Sequence, residues 1–234
     1  MLNPLVDVLV AIWQGNPEWH YQRHRSTEEV KRIKIVEIYG NATKALMIDQ
    51  GVDKRELIED ILPSDQPCFE NKYIQIQHGF LASDSKYVMI FDNDDIMYNG
   101  MMEQLLAKAE EKNAAVVYCN YEMMDADGKH LRYVDLNPRY DWELNCQQAC
   151  YPDISLWRRD TINECGGYDV SNGRYVMWWL WLQAGLKCPE RIFHVPYYGF
   201  RYRIHSEGLH NKEKPSDREK FMAKIAAWKE NHAT

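Results

Sequence analysis

The sequence has no apolar run long enough to cross a membrane. Among its 234 residues the longest uninterrupted apolar run is eight residues, from Tyr175 to Leu182, whereas a spanning helix needs about 20. The apolar stretch from Leu5 to Trp13 is interrupted by Asp7 and has no basic residue before it, unlike a secretory signal peptide. These absences predict a protein without a membrane span that acts in the cytoplasm.

The sequence also has no paired cysteines and no excess of positive charge. Its six cysteines, at positions 68, 119, 146, 150, 165 and 188, form no CxxC pair and no zinc-ligand spacing, so we expect reduced thiols and no disulfide. Lys and Arg total 28 against 35 Asp and Glu, which gives a formal charge of −7. This balance argues against a protein whose whole surface binds nucleic acid or an anionic membrane.

What the sequence does contain is an alternation of apolar strands and amphipathic helices. Strands are predicted at residues 5–12, 33–39, 87–91, 115–121 and 154–157. Helices are predicted from Pro17, over 54–62, 72–84, 101–112 and 178–182, and from a capping box of Ser216 and Glu219. The turn at residues 125–128 has the composition of a hairpin. This alternation is typical of an α/β sheet, largely parallel, with helices on its faces.

The strongest local motif is FDNDD at residues 91–95, directly after an apolar strand. Open α/β sheets bind ligands at the carboxyl ends of their strands. Carboxylates two positions apart, such as Asp92 and Asp94, can hold a hard divalent cation whose shell is completed by phosphate oxygens. The alternative is an acidic turn that only caps the following segment.

Two further segments carry basic and aromatic residues. If GFRYRIHSEG at 199–208 is a strand, Arg201 and Arg203 point to one face, where arginines suit phosphates and His205 is a possible metal ligand. The alternative is an edge strand with a solvated basic face. The stretch from His20 to Arg25 could also contact phosphate, although its composition favours a solvated helix face.

Taken together, the order and spacing of these segments resemble glycosyltransferase family 2. The YVMIF strand with DNDD, then SLWRRDTINECGGYD about 60 residues later, then GFRYRIHSEG match the D-x-D-D, R-R…G-G-F-D and Y-R-x-H elements of that family. The resemblance covers roughly residues 5–210. It implies a single GT-A type, Rossmann-like domain over 1–234, with a nucleotide-sugar-binding half (1–95), an acceptor-side half (96–214) and a C-terminal helix (215–234).

The resemblance implies a metal and diphosphate site. Asp92 and Asp94 match the family's D-x-D and would bind Mn²⁺ or Mg²⁺ on the donor diphosphate, with Asp92 also contacting the ribose. His205 matches the histidine of the Y-R-x-H element and is a further metal or diphosphate contact. Arg203 matches the arginine of the same element and is assigned to the nucleotide sugar.

The resemblance also implies where the nucleotide base binds. The family's first strand meets the base with a proline and a tyrosine, which Ala11 and Trp13 replace here; an aromatic ring at this position can still stack on a base. Glu37 and Tyr39 occupy the place of an aspartate that usually reads the base. All four residues are assigned to nucleotide-sugar binding.

The catalytic base of the family has no obvious counterpart. Its carboxylate should fall in the segment 173–178, which contains none, yet an inverting transfer needs a general base near the acceptor hydroxyl. We expect Asp169, the nearest carboxylate, to take over and to face the cleft. A retaining path, in which the leaving phosphate takes the proton, is the alternative. Trp178 is assigned to the acceptor, although a tryptophan cluster such as 178–181 is usually core.

The leading hypothesis is a metal-dependent glycosyltransferase that uses a nucleotide-diphosphate sugar and an acceptor that is a saccharide or small molecule. One alternative is a sugar-nucleotide-binding module without catalysis. Another is a phage-type enzyme that glycosylates modified DNA bases, for which the basic and aromatic residues at 20–25 and 198–205 would hold nucleic acid. The formal charge of −7 argues against this last function.

Overall fold

The computed structural model describes residues 6–12, 17–27, 33–39, 56–59, 68–206, 208 and 213–232. The strands are β1 (Val6–Ile12), β2 (Ile33–Tyr39), β3 (Glu56–Glu59), β4 (Tyr87–Ile90), β5 (Ile96–Met97), β6 (Val116–Met124), β7 (His130–Val134), β8 (Leu156–Arg158) and β9 (Ile192–Arg203). The helices are α1 (Pro17–Thr27), α2 (Cys68–Leu81), α3 (Met101–Lys112), α4 (Trp142–Gln147), α5 (Arg159–Glu164), α6 (Val176–Lys187) and α7 (Pro215–Glu230), with 3₁₀ turns at Val170–Tyr175 and Pro189–Arg191. None of these helices combines the length and the apolar character that a membrane span requires.

The described strands form one mixed sheet in the order β3-β2-β1-β4-β8-β6-β9-β5, with β7 paired to β6. The four strands β3, β2, β1 and β4 are parallel, and so are β6 and β9. The short strands β5, β7 and β8 run antiparallel to their neighbours. The α/β fold with a mostly parallel central sheet and flanking helices is confirmed, although short antiparallel strands join the sheet beyond β4. One reason is that β7 follows β6 through a tight hairpin, which needs no crossover and can only give an antiparallel pair.

Alternate residues of β1 show how the sheet divides the core. Val8 and Val10 pack on one face with α3, whereas Leu9 and Ala11 pack on the other face with α2 and α6. All four side chains are buried, which explains why β1 is a nearly continuous apolar run. The two helix layers therefore clamp the central strands and fix the positions at which they end.

Asp7 is the one charged residue of β1, and it is completely buried. Its carboxylate accepts hydrogen bonds from the Ser85 amide (2.9 Å), the Ser85 hydroxyl (2.8 Å) and Arg159 Nη2 (2.9 Å). Arg159, the first residue of α5, also donates to the Ser85 and Phe80 carbonyls and to Ser83 Oγ. Because a buried charge is tolerated only when paired and hydrogen-bonded, this network ties the amino ends of β1 and β4 to α5.

Two of the predicted helix signals are wrong. The segment 54–62 contains β3, whose backbone pairs in parallel with β2; so short an apolar pattern fits either period. The capping box at Ser216 does not start the last helix, because α7 begins at Pro215 with Lys214 as its extended N-cap.

Other local predictions are confirmed. The helices at 72–84 and 101–112, the strands at 5–12, 33–39 and 87–91 and the hairpin at 125–128 all form within a few residues of their expected bounds. Gly166 and Gly167 follow α5 with φ of 93° and 75°, a left-handed conformation that suits glycine at a helix end. The cysteines whose side chains the structure describes, at positions 119, 146, 150, 165 and 188, are free. The division of the chain into donor and acceptor halves stays a prediction.

Candidate active site

An aspartate-rich turn follows the carboxyl end of β4. The chain stays paired to β1 through Phe91, whose amide donates to the Leu9 carbonyl at 3.0 Å, and then leaves the sheet. One oxygen from each of Asp92, Asp94 and Asp95 lies within 4.8 Å of the others. The buried strand therefore delivers three carboxylates to one point at the edge of the sheet.

Two of these carboxylates have a cationic or ring partner. Asp92 Oδ1 lies 2.7 Å from Lys72 Nζ of α2, and the lysine side chain is only 7% exposed. Asp94 Oδ2 accepts a hydrogen bond from His205 Nε2 at 2.7 Å. Burial raises the pKa of Asp92 above its usual range, although the charge of Lys72 opposes this shift. His205 thus reaches the cluster through Asp94.

Asp95 is the carboxylate that sequence reasoning did not assign. It is completely buried, and its Oδ1 accepts from the Arg203 amide at 2.8 Å. Its Oδ2 has no hydrogen-bond partner within the described part of the chain. Burial, and then the charges of Asp94 and Asp92, raise the pKa of Asp95 well above its usual range.

A buried carboxylate oxygen without a partner is costly, and crowded carboxylates repel one another. A divalent cation relieves both penalties, because hard cations prefer carboxylate oxygens. The donor set of Asp92, Asp94 and Asp95 therefore fits Mn²⁺ or Mg²⁺.

Arg203 holds this turn in place. Its guanidinium donates to the Asp94 carbonyl (2.8 Å), the Ala126 carbonyl (3.0 Å) and Gln22 Oε1 (2.8 Å), and it lies 5.1 Å from the centre of the Trp19 ring. The side chain is thus engaged mainly with the protein itself, and its contact with the nucleotide sugar stays a prediction. Arg203 supports the site mainly by fixing the aspartate turn.

The aspartate turn opens into a cavity of about 350 Å³. Its walls come from α2, the turn at 92–95, the loop at 151–154, the start of α6 and the end of β9. The lining residues are Lys72, Tyr73, Asp92, Asp94, Asp95, Tyr121, Tyr151, Pro152, Asp153, Ile154, Arg174, Tyr175, Phe200, Tyr202, Arg203, His205 and Gly208. The structure therefore brings Asp92, Asp94, Arg203 and His205 together although more than 100 residues separate the first from the last.

The predicted base-binding residues are only partly described. Ala11 is buried in β1 and packs in the core. Glu37 and Tyr39 lie in β2, and Trp13 lies outside the described residues. In the parallel pair of β1 and β2, Ala11 is opposite Ile38, so the carboxyl ends of both strands reach the same edge as the aspartate turn.

Asp169 does not face the cavity, contrary to our expectation. Its carboxylate caps the turn that follows, accepting from the Ser171 amide (3.1 Å) and hydroxyl (2.5 Å), and Lys224 Nζ of α7 lies 3.8 Å away. Although partial burial acts to raise it, the pKa of Asp169 is lowered by these hydrogen bonds. The short distance from Asp169 to Ser171 favours a local cap, and this geometry argues against a role as general base.

Trp178 is also absent from the cavity lining. It is buried, its indole N–H donates to the Asn145 carbonyl at 2.7 Å, and its ring packs against Phe221 of α7. The ring fastens the last helix to α6, so the core interpretation of the tryptophan cluster holds for Trp178.

The basic stretch at 20–25 is not a uniformly solvated face. Arg23 is completely buried in the described structure, whereas Arg25 is largely exposed. Because the charge of Arg23 points into the protein, this helix does not offer the continuous basic surface that nucleic-acid binding needs.

Sequence reasoning missed several cavity residues besides Asp95. Lys72 and Tyr73 lie on α2, and Asp153 precedes β8; the Tyr73 hydroxyl donates to Asp153 Oδ2 at 3.0 Å, and Lys72 lies 3.7 Å from the same oxygen. Their only signal was a lysine on an otherwise apolar helix face and a carboxylate beside a short strand. Arg174 and Tyr175 lie in the segment 173–178, whose notable feature in the sequence is that it contains no carboxylate.

Comparison with known proteins agrees with this geometry. Residues 65–171 match the model of glycosyl transferase family 2. Over 112 residues the chain is 30% identical to the glycosyltransferase GlyG of Streptococcus pneumoniae, an alignment that covers 41% of this chain and 36% of that protein. An uncharacterized glycosyltransferase of Rickettsia typhi is 25% identical over 149 residues, which cover 60% and 44%. The chain thus spans less than half the length of these relatives.

Solved structures show the same fold. Residues 1–349 of TarS from S. aureus superpose with a TM-score of 0.68 at 11% identity, covering 95% of this chain and 64% of that one. The same protein in complex with UDP-GlcNAc gives a TM-score of 0.65 at 12% identity, covering 95% and 65%. The family match includes the aspartate turn and α5, and the superposition covers nearly the whole chain. The chain therefore has the α/β fold of the GT-A type, and its residues 65–171 are similar to glycosyl transferase family 2.

Proposed function

We propose that this chain transfers a sugar from a nucleotide-diphosphate sugar, with Mn²⁺ or Mg²⁺, to a hydroxyl of a saccharide or small-molecule acceptor. The observation that carries the proposal is the cluster of Asp92, Asp94 and Asp95 at the wall of a cavity large enough for part of such a donor. A protein of similar fold, TarS, has been solved with UDP-GlcNAc, which supports the class of donor.

Asp92, Asp94 and Asp95 would hold the cation. When bound, it would offset the charge that develops on the diphosphate as the bond from sugar to phosphate breaks. Lys72 fixes the orientation of Asp92, and His205 fixes that of Asp94. Preorganised ligands of this kind lower the cost of assembling the site on binding.

Lys72 and Arg174 bring positive charge to the cavity wall. Anionic diphosphates are attracted to such side chains, and arginine offers several donors in one plane. Arg203 contributes by holding the Asp94 carbonyl. The contacts of Ala11, Glu37 and Tyr39 with the nucleotide base are part of this proposal, because β1 and β2 end at the same edge of the sheet; the assignment of Trp13 rests on the sequence resemblance.

One observation favours an alternative function. Asp169, the expected base, is used as a turn cap, so a sugar-nucleotide-binding module without catalysis is the second candidate. Nucleotide release from the donor in the presence of metal separates the two functions. The DNA-modifying alternative loses support because Arg23 is buried. The cytoplasmic location stays a prediction.

The direct test is a thermal-shift panel of nucleotide sugars, headed by UDP-GlcNAc, each with MnCl₂ and with EDTA. A ligand that binds only the folded state raises stability by about 2.7 kcal/mol at 100 times its Kd. We expect one donor to stabilise the protein only with metal and to release its nucleotide on incubation. A panel in which no donor stabilises the protein with either addition would overturn the proposed function.

A further inference from the structure

A tyrosine stands at the start of α6, within reach of the cavity. Tyr175 is the N-cap residue of this helix and lines the same cavity as Asp92 and Asp94. It lies in the segment where no carboxylate is present. Its ring stacks on Phe221 with centroids 4.4 Å apart and planes 14° apart, so the position of its hydroxyl is fixed by packing.

The Tyr175 hydroxyl is hydrogen-bonded to a carboxylate from another segment. It donates to Glu213 Oε1 at 2.5 Å, and the Glu213 side chain is 28% exposed. Arg218 Nη1 lies 3.8 Å from the other oxygen of Glu213. Glu213 can therefore accept a proton from Tyr175 and exchange it with solvent.

The other carboxylates of the cavity have different engagements. Asp92, Asp94 and Asp95 form the cation cluster. Asp153 accepts from Tyr73 and shares Lys72 with Asp92, which ties it to the same cluster. Tyr175, a residue of the cavity lining, is bonded instead to Glu213, a carboxylate from outside that lining.

Tyr175 alone is a poor base. Burial, and then its hydrogen bond to Glu213, raise the pKa of Tyr175 above its usual range, so the phenol keeps its proton at neutral pH. A neutral phenol can take a proton only if it gives up its own in the same event. The carboxylate 2.5 Å away supplies the place for that second proton.

We propose that Tyr175 and Glu213 form the general base of the transfer, an inference that rests on the proposed function. The acceptor oxygen forms a bond to the anomeric carbon, and the bond from that carbon to the phosphate oxygen breaks, with its electron pair leaving on the diphosphate. The acceptor proton moves to Tyr175 Oη, while the original Tyr175 proton moves to Glu213 Oε1. Glu213 then releases this proton to solvent.

The test uses water as the acceptor and measures nucleotide release from the donor that binds in the panel, beginning with UDP-GlcNAc and MnCl₂. Tyr175→Phe keeps the stacking on Phe221 and removes only the hydroxyl. Because loss of a general base typically lowers rates about 10²–10⁴-fold, we expect a fall of at least about 10²-fold with an unchanged donor Kd. Tyr87→Phe is the matched control: it breaks another tyrosine–carboxylate bond, to Glu110 at 2.6 Å, outside the cavity lining, and should leave the rate unchanged.

A pH profile tests whether Glu213 acts as a proton acceptor through Tyr175. In Glu213→Gln the tyrosine must lose its proton beforehand, so the residual rate should rise about tenfold per pH unit up to the highest pH at which the protein stays folded, because burial keeps the tyrosine pKa above its usual value of about 10. The double variant Tyr175→Phe/Glu213→Gln should lack that rise. A merely structural role for Glu213 would lower the rate equally at every pH.

The outcomes separate this inference from the proposed function. A wild-type rate in Tyr175→Phe, or a wild-type pH profile in Glu213→Gln, would overturn the relay while leaving the glycosyltransferase intact. Loss of rate in Asp153→Asn with a normal Tyr175→Phe would assign the base to Asp153 instead. Absence of donor binding by the wild-type protein would overturn the proposed function and the relay with it.

Discussion

The carboxylates at the amino end and at the carboxyl end of β1 and β4 lie in opposite environments. At the amino end, the single carboxylate of Asp7 is buried and both of its oxygens are hydrogen-bonded, to Ser85 and Arg159. At the carboxyl end, three carboxylates crowd within 4.8 Å, and a buried oxygen of Asp95 has no partner in the described structure. At the first end every carboxylate oxygen has a protein partner, whereas at the second end an oxygen of Asp95 lacks one among the described residues and is available to the proposed cation. Stability and binding are thus assigned to opposite edges of one sheet.

The largest effect should come from the amino end. Removing one partner of a buried ion pair costs about 3–5 kcal/mol, so Arg159→Met, which keeps the apolar stem, should lower the free energy of unfolding by that amount. Chemical denaturation measures it. The control is Arg158→Met, because Arg158 bonds to Asn113, Tyr87 and a carbonyl but to no carboxylate. Equal losses of unfolding free energy in both variants would mean that the ion pair of Arg159 with Asp7 contributes no more than the hydrogen bonds of Arg158.

The second prediction concerns the carboxyl end. Asp94→Ala removes one cation ligand and the partner of His205, so it should abolish metal-dependent stabilisation by the donor, about 2.7 kcal/mol at 100 times Kd. The fold should persist, because the bond between the Asp94 carboxylate and His205 joins two segments that lie outside the strands of the sheet. Asp7→Asn should do the reverse, with a lower melting temperature but an intact metal response. If Asp94→Ala keeps its Mn²⁺-dependent shift, the cation lies elsewhere.

Another buried carboxylate, that of Glu122, tests whether hydrogen bonds to a buried carboxylate stabilise the fold. Glu122 on β6 is buried and faces Tyr98, His130 and Arg201; although burial acts to raise it, hydrogen bonds from Tyr98 and His130 and the charge of Arg201 lower the pKa of Glu122. Its contribution should therefore be complete above the usual glutamate value near 4.3 and disappear as the pH falls below it. Glu122→Gln should cost about 2 kcal/mol at pH 7.

The measurement for Glu122 is the free energy of unfolding of both proteins across this pH range. The gap between wild type and Glu122→Gln should narrow as the pH falls through about 4. A constant difference in the free energy of unfolding would show that the charge of Glu122 does not contribute to stability. Glu122 would then differ from Asp7, whose charge we expect to contribute.

The smallest effect should be a gain. Asp95→Asn removes the carboxyl group whose charged form is disfavoured by burial and by the charges of Asp94 and Asp92, and its amide oxygen can still accept from the Arg203 amide. In EDTA we expect about 1 kcal/mol of stabilisation, which corresponds to about 2–4 °C in melting temperature for a chain of this size. With Mn²⁺ and donor the order should reverse, because the variant offers a weaker ligand. A lower melting temperature in EDTA would contradict the idea of stored repulsion.

The sequence predicted the strands that build the site better than the residues that complete it. β1, β2 and β4 are continuous apolar runs, and their pattern follows from burial on both faces. Asp92 and Asp94 could be placed because an abrupt change from apolar to acidic residues marks the end of such a strand. Local signals of this kind survive folding because they depend on few distant contacts.

Residues whose role depends on distant partners could not be placed this way. In the sequence Asp169 has no evident partner, whereas in the structure its carboxylate is hydrogen-bonded to Ser171 and lies near Lys224. The sequence gives no sign that the Arg203 guanidinium also bonds to the Asp94 and Ala126 carbonyls and so holds the aspartate turn. The segment 54–62 has helical spacing, yet pairing with β2 makes part of it a strand, since tertiary contacts override a weak local preference.

The parallel pairing of β9 with β6 bears on when the site is assembled during folding. β9 carries Arg203, and His205 follows it to contact Asp94 across 111 residues of chain. Contacts between such distant segments form late in folding, because closing the long loop between them costs entropy before the contacts contribute to stability. While the protein is being synthesised, the ribosome releases the aspartate turn long before its last partners. Donor recognition should therefore appear in a single step near the end of folding, after most of the sheet already exists.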